Sequence, residues 1–236
     1  MNISPKDRII FALDVASVDE AAKFTSLLKD HVGMFKVGLE LFVAAGPAVV
    51  KAVRDNGGAG IFLDLKFHDI PETVKGAMRS ASTLGADLVT VHTSDGQMMM
   101  KAAVEAAGTS KVLGVTVLTS LTADAFPEAG IDGKFTPESL VMHRALSAKA
   151  AGCAGIVCSG QEARAIREAL GPDFLIVTPG VRSADDAIGD QKRVVTPFEA
   201  VKNGADYIVV GRPIRKAQNP VEAAKRIAGE IEKTGC

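Results

Sequence analysis

Short apolar runs recur along the chain, separated by longer amphipathic segments. The runs are IIFALDV (9–15), FKVGLE (35–40), GIFLDLKF (60–67), DLVTVHTS (87–94), VLGVTVLT (112–119), GIVCS (155–159), FLIVTPG (174–180) and YIVVGRP (207–213). Most are nearly continuous in apolar residues, as suits parallel strands covered on both faces. Helix-start signals follow several of them. Ser17 with Glu20, Thr196 with Glu199, and Asn219 with Glu222 each read as a capping box. Pro197 and Pro220 stand at the first helical position, where a missing N–H costs nothing, and Thr136–Pro137 marks another start. Eight strand–helix units in 236 residues predict an α/β fold, a (β/α)8 TIM barrel forming a single domain over 1–236. An open doubly wound sheet is the alternative. It usually has fewer strands and a glycine-rich turn after the first, whereas here the first run ends in LDVAS.

Two connections are longer than the rest: 120–135 after the fifth run and 181–195 after the seventh. Both fall on the C-terminal face of the barrel, where barrel enzymes keep their active sites. The second is rich in charge and small residues, and it reads either as a lid or as a passive surface loop. GGAG (57–60) reads as a helix end, and the three methionines at 98–100 as helix packing.

Polar residues in and after the strands gather toward one end. Asp14, Lys36, Asp64, Lys66, Thr119, Arg182, Gly211 and Arg212 all map to the same mouth. Alternation puts Asp64 and Lys66 on one face and Leu63, Leu65 and Phe67 on the other. The apolar set faces the helices, so the charged pair faces the mouth. Asp14 shares its face with Ala12 and Ile10, and Lys36 with Gly38, which leaves room for a ligand. A structural ion-pair network would explain one buried Asp–Lys pair. Several charges converging from different strands fit a functional site better. An ammonium beside carboxylates keeps its proton, so it can donate that proton and stabilise developing negative charge. An anion left behind by departing carbon dioxide suits such a site. In VVGRP (209–213), a glycine lets backbone N–H groups approach an anion, and Arg212 can bond a phosphate; a glycine needed only for a tight turn is the competing reading. His68 and His92 read as structural.

Composition then excludes several partners. The formal net charge is −1, no basic block stands out, and one Tyr with no Trp offers no stacking platform, so nucleic acid is not expected. No apolar stretch is long enough for a membrane span. Cys153, Cys158 and Cys236 have no framework spacing, which points to a reducing, cytoplasmic setting with Cys153 and Cys158 in core packing. No Cys/His cluster has metal-ligand spacing, so no metal is expected.

The motifs FALDVAS, KVGLELF, FLDLKFHDIPETV, VTVLTS, GIVCSGQEA, VTPGVR, GDQKRVVTPFEA and YIVVGRPI resemble the orotidine 5'-phosphate decarboxylase family over nearly the whole chain. DLKFHDIP is the most specific of them. The resemblance implies conversion of orotidine 5'-phosphate to uridine 5'-phosphate and carbon dioxide without metal or organic cofactor. It implies Lys66 as proton donor to C6, within a charged array of Lys36, Asp64, Lys66 and Asp69. It also implies a homodimer with shared sites, in which Asp69, Ile70 and Thr73 complete the neighbouring subunit's site. Asp14 and Lys36 are expected at the ribose hydroxyls, and Thr119, with Ser120 beside it, at the pyrimidine. Gln191, Gly211 and Arg212 are expected at the phosphate, with Arg182 nearby. The alternatives are a magnesium-dependent keto-sugar-phosphate decarboxylase of the same superfamily and a non-catalytic phosphate-ligand binding barrel.

Overall fold

The computed structural model describes residues 3–182 and 194–235. Within them, eight parallel strands close into a barrel in sequence order. They are β1 (Ile9–Ala12), β2 (Met34–Gly38), β3 (Gly60–Phe67), β4 (Leu88–His92), β5 (Lys111–Val115), β6 (Gly155–Val157), β7 (Leu175–Thr178) and β8 (Tyr207–Val210). Closure is direct: β1 pairs with β2 at Ile10–Met34 and with β8 at Ile10–Val209. The helices between strands are α1 (Val18–Leu28), α2 (Leu39–Ala45), α3 (Ala48–Asp55), α4 (Pro71–Thr83), α5 (Gln97–Ala106), α6 (Pro137–Ala150), α7 (Ala163–Leu170) and α8 (Pro197–Lys202). A short α9 (Arg212–Arg215) and α10 (Pro220–Glu232) follow β8.

All eight apolar runs become strands, but every strand except β3 stops before its run does. β1 ends at Ala12 and β5 at Val115, so Asp14 and Thr119 stand beyond the strands rather than at their last positions. Arg212 opens α9. The departing chain is still anchored, since Leu13 N–H donates to Lys36 O at 3.0 Å. The polar ends of the runs thus turn off the ladder into the mouth, where they meet a cavity instead of a neighbouring strand.

Alternation sorts the strand side chains into two cores. Ile9, Phe11, Phe35, Ile61 and Leu63 face the helices. Ile10, Ala12, Met34, Phe62, Leu88, Leu113, Leu175, Val177 and Val209 fill the barrel interior. Burying a side chain as large as Phe62 contributes about 1.5–3 kcal/mol. This inner layer is also the floor on which the polar mouth rests.

The expected helix starts form. Thr136 with Ser139 and Thr196 with Glu199 close reciprocal capping boxes. Ser17 and Asn219 accept from the backbone N–H of Glu20 and Glu222. Gly57 ends α3 at a φ of +90°, a left-handed turn that favours glycine. Of the three methionines, Met99 and Met100 are buried, but Met98 is 77% exposed and packs into no core.

The bottom of the barrel carries two matching clamps, each following the sequence GAD. Asp87, just before β4, accepts the N–H of Ile61 at 2.8 Å and Arg54 Nη2 at 2.9 Å. Asp206, just before β8, accepts the N–H of Ile176 at 2.8 Å and Arg167 Nη2 at 2.6 Å. Arg167 also bonds the carbonyls of Gly171, Phe174 and Gly204. These ties lie at the opposite end from the mouth, where barrel residues serve stability.

Candidate active site

A cavity of about 420 Å3 opens at the C-terminal mouth. Ala12, Phe62, Val115, Val157 and Val209 form its apolar floor. Asp14, Lys36, Asp64, Lys66, Thr119, Ser120, Arg182, Gly211, Arg212 and Arg215 line it. An apolar floor with a few convergent polar groups is the usual make-up of a small-molecule site. A larger concavity of about 760 Å3 lies outside the barrel and shares only Arg182 and Arg212 with the mouth.

The charges form an alternating chain. Lys36 Nζ stands 3.1 Å from Asp14 Oδ1 and 3.8 Å from Asp64 Oδ2. Lys66 Nζ stands 2.9 Å from the same Asp64 Oδ2. Lys36 and Asp64 are nearly buried, while Lys66 and Asp14 reach further into the open mouth. Gly38 permits this packing: a Cβ there would sit 2.7 Å from Lys36 Nζ.

Lys66 reaches the mouth by a route that simple alternation does not give. β3 pairs with β4 at Leu63–Val89 and again at Phe67–Val91, so β3 advances four residues where β4 advances two. Lys66 sits in this bulge at a φ of +50°, the one positive value among the described non-glycine residues. Left-handed backbone costs roughly 1–2 kcal/mol for an L-residue, and such positions cluster at functional sites. The Lys66 N–H donates to Thr90 Oγ1 at 2.9 Å. The Thr90 hydroxyl in turn donates to Asp64 Oδ1 at 3.0 Å. Leu65 and Phe67 pack toward the helices, as expected.

Beside the array lies a second polar group. The His68 and His92 rings stack at 5.2 Å, and His68 Nε2 pairs with Asp95 Oδ2. Burial pulls the His92 imidazole below its ordinary value; His68, Arg144 and Lys66 add to the effect, and Asp95 opposes it. His92 Nδ1 is buried with no hydrogen-bond partner among the described residues. Burial also pushes the Cys153 thiol up to about 12.

Residues 7–227 match the family model described as Orotidine 5'-phosphate decarboxylase / HUMPS family. The chain belongs to this family. A relative from Desulfosudis oleivorans named orotidine 5'-phosphate decarboxylase is 50% identical over 98% of this chain and 95% of its own length. One of the same name from Moorella thermoacetica is 51% identical over 96% of this chain and 93% of its own. The crystal structure of orotidine 5'-phosphate decarboxylase from Lactobacillus acidophilus superposes with a TM-score of 0.83 at 37% identity, covering 95% of this chain and 99% of that one.

Within this decarboxylase-family barrel, Asp14, Lys36, Asp64, Lys66, Thr119, Arg182, Gly211 and Arg212 come together at one cavity. Asp69, Ile70 and Thr73 do not line it; Asp69 and Ile70 are exposed on the β3–α4 connection and Thr73 in the first turn of α4. Gln191, and most of the 181–195 segment read as a lid, lies outside the described residues. The base of that segment is tied, because Val181 bridges Val195 and Arg182 N–H donates to Val195 O at 3.0 Å. Two residues escaped the sequence reading. Arg215 lines the mouth with its Nε buried and unpartnered among the described residues; its place three positions after Arg212 on one helix face was the available signal. Thr90 lay hidden in an apolar run, with only its inward parity with Leu88 to mark it.

Proposed function

We propose that Lys66 protonates C6 of orotidine 5'-phosphate as its carboxylate leaves at the barrel mouth. Decarboxylation of this nucleotide to uridine 5'-phosphate, a step of pyrimidine biosynthesis, is the activity that the names of the family and of the half-identical relatives give. The observation that carries the residue assignment is the Asp14–Lys36–Asp64–Lys66 chain of charges set over an enclosed apolar floor.

In this reading the C6–carboxylate bond breaks and carbon dioxide departs with neither electron of the bond. The pair stays on C6, where the Lys66 ammonium opposes the developing charge and then delivers its proton. The resulting amine takes a proton back from solvent. Asp64, itself paired with Lys36, holds the ammonium in place beforehand, so little reorganisation is needed at the moment of reaction. Asp14 and Lys36 bind the ribose hydroxyls, and Thr119 meets the pyrimidine. Gly211 and Arg212, with Gln191 and Arg182, take the phosphate; phosphate at the loops after the seventh and eighth strands is common in barrels.

A second copy completes the site. Asp69, Ile70 and Thr73 are exposed beside the array, and Ile70 is 68% exposed. Leu39, Val43 and Met98 are also exposed large apolar residues, and they follow β2 and β4, the strands on either side of β3. This apolar rim supports a homodimer in which each subunit lends Asp69 to its neighbour's array. No nucleic acid takes part. Among the described residues no helix is long and apolar enough to cross a membrane, and the cysteine usage supports a cytoplasmic setting.

The test is loss of orotidine 5'-phosphate absorbance with purified protein and a chelator present. Turnover in the chelator is expected. A requirement for magnesium would favour the sugar-phosphate alternative, and binding without turnover would favour the non-catalytic one.

A further inference from the structure

We infer that Thr90 is a positioning residue for the decarboxylation, fixing the bulge that carries Asp64 and Lys66 into the mouth. The inference rests on the reading of Lys66 as proton donor.

Thr90 is fully buried on the inward face of β4. Its hydroxyl has one proton and accepts through its lone pairs. Accepting the Lys66 N–H at 2.9 Å leaves that proton for Asp64 Oδ1 at 3.0 Å, so one side chain ties both ends of the Asp64–Leu65–Lys66 segment. Both bonds do something the ladder no longer does. The β3–β4 register breaks between Leu63 and Phe67, which removes the regular strand partner for the Lys66 amide. Thr90 supplies a partner where the backbone is left-handed and unpaired N–H groups are costly. Its bond to Oδ1 also sets the rotation of the carboxylate, leaving Oδ2 toward Lys66 Nζ at 2.9 Å and Lys36 Nζ at 3.8 Å. A threonine serving only to fill the core could bond a carbonyl of a neighbouring strand, as Thr93 bonds Val115 O. The Thr90 hydroxyl instead joins two members of the charged array.

Valine matches threonine in shape but makes neither bond, whereas serine keeps both. Thr90→Val, Thr90→Ser and Lys66→Ala in the full chain are compared by steady-state turnover, with calorimetric titration of uridine 5'-phosphate counting competent sites. A small misplacement of a reacting group can cost about 100-fold, so Thr90→Val is expected to lower kcat per competent site by roughly 10- to 100-fold. Its KM and product Kd should change far less than kcat, because Asp14 and the phosphate contacts are untouched. Thr90→Ser should recover most of kcat. A purely structural role would instead lower the melting temperature or the number of competent sites with kcat per site intact, and that result overturns the inference. So does a folded Thr90→Ser as slow as Thr90→Val. If Thr90→Val yields no competent sites, Thr90→Ala is read by the same criteria. Turnover retained by Lys66→Ala overturns the proton-donor reading and this inference with it. An inactive Lys66→Ala beside a fully active Thr90→Val overturns this inference alone.

Discussion

Lys66 Nζ lies 2.9 Å from Asp64 Oδ2, although the two residues sit on a strand whose ladder breaks between them and the next pairing. The contact holds a part-exposed ammonium against the cavity in the mouth. Removing that ammonium takes away both the proton and the positive charge. Lys66→Ala is expected to lower kcat by at least about 100- to 10,000-fold, the range that one positioned acid supplies. Binding of uridine 5'-phosphate should remain within about tenfold, since uniform binding contacts are kept. Turnover near wild type, measured by absorbance, would remove Lys66 from the mechanism.

Lys36 depends on the absence of a side chain at Gly38. An alanine Cβ there would meet the Lys36 ammonium at 2.7 Å, while the backbone at a φ of −97° accepts alanine without strain. The flexible lysine end gives way first. Gly38→Ala should therefore displace Lys36 from Asp14 and Asp64, lowering kcat/KM by roughly 10-fold or more for a misplaced group. Its melting temperature should stay close to wild type. A large stability loss with normal kinetics would show that the backbone, not Lys36, absorbs the contact.

The barrel was legible because its signals are local: nearly continuous apolar runs separated by amphipathic segments, and proline one position after Thr136, Thr196 and Asn219. The mouth was legible because polar residues at the ends of parallel strands have nowhere else to point. Two features were not. Strand alternation placed Asp64 and Lys66 on one face, yet the structure brings them together through a bulge and left-handed backbone. A bulge depends on how two strands register, and nothing local in DLKF encodes it. Thr90 stayed invisible for the same reason: its function exists only across the β3–β4 seam. Met98 failed differently, since a helical methionine run does not say which of its members lies on the outer face.

The phosphate contacts expected of Gly211 and Arg212 are remote from the bond that breaks. Binding energy there can be used to organise the array around the transition state. A substrate lacking the phosphate should therefore lose kcat as well as affinity. Arg212→Ala should lower kcat/KM for the phosphorylated substrate by about 10- to 100-fold, as expected from losing a charge-assisted hydrogen bond of about 1.5–3 kcal/mol. The same substitution should have little effect on the truncated substrate. Equal losses for both substrates would place Arg212 away from the phosphate.

Arg167 tests the opposite end of the barrel. It bonds Asp206 and three backbone carbonyls at the bottom of β7 and β8. Arg167→Ala leaves Asp206 without its cation and the carbonyls without a donor. The expected cost is about 3 kcal/mol, the upper end for hydrogen bonds to charged groups, because Arg167 and Asp206 are each only about a fifth exposed. That corresponds to roughly 6–12 °C in melting temperature for a chain of this size. Turnover at 25 °C should be unchanged, because no bond from Arg167 reaches the mouth. A loss of kcat in the folded variant would show that the two ends of the barrel are coupled.

His92 makes stability depend on pH in a direction that can be worked out. Burial and the neighbouring His68, Arg144 and Lys66 lower its pKa from the ordinary 6.5. In the unfolded chain this imidazole takes up a proton near pH 6.5, whereas the folded protein resists until lower pH. The unfolded state then binds more protons, and stability rises with pH over that interval. The contribution is fully present above about pH 6.5 and is lost as pH falls from there through the folded pKa. His92→Gln removes the titrating group. Between pH 7.5 and 5.5, the melting temperature of the wild type should therefore fall more than that of the variant. The carboxylates common to both proteins cancel in this comparison. Parallel curves would mean that His92 takes up its proton equally in the folded and unfolded chain, against the effect of its burial.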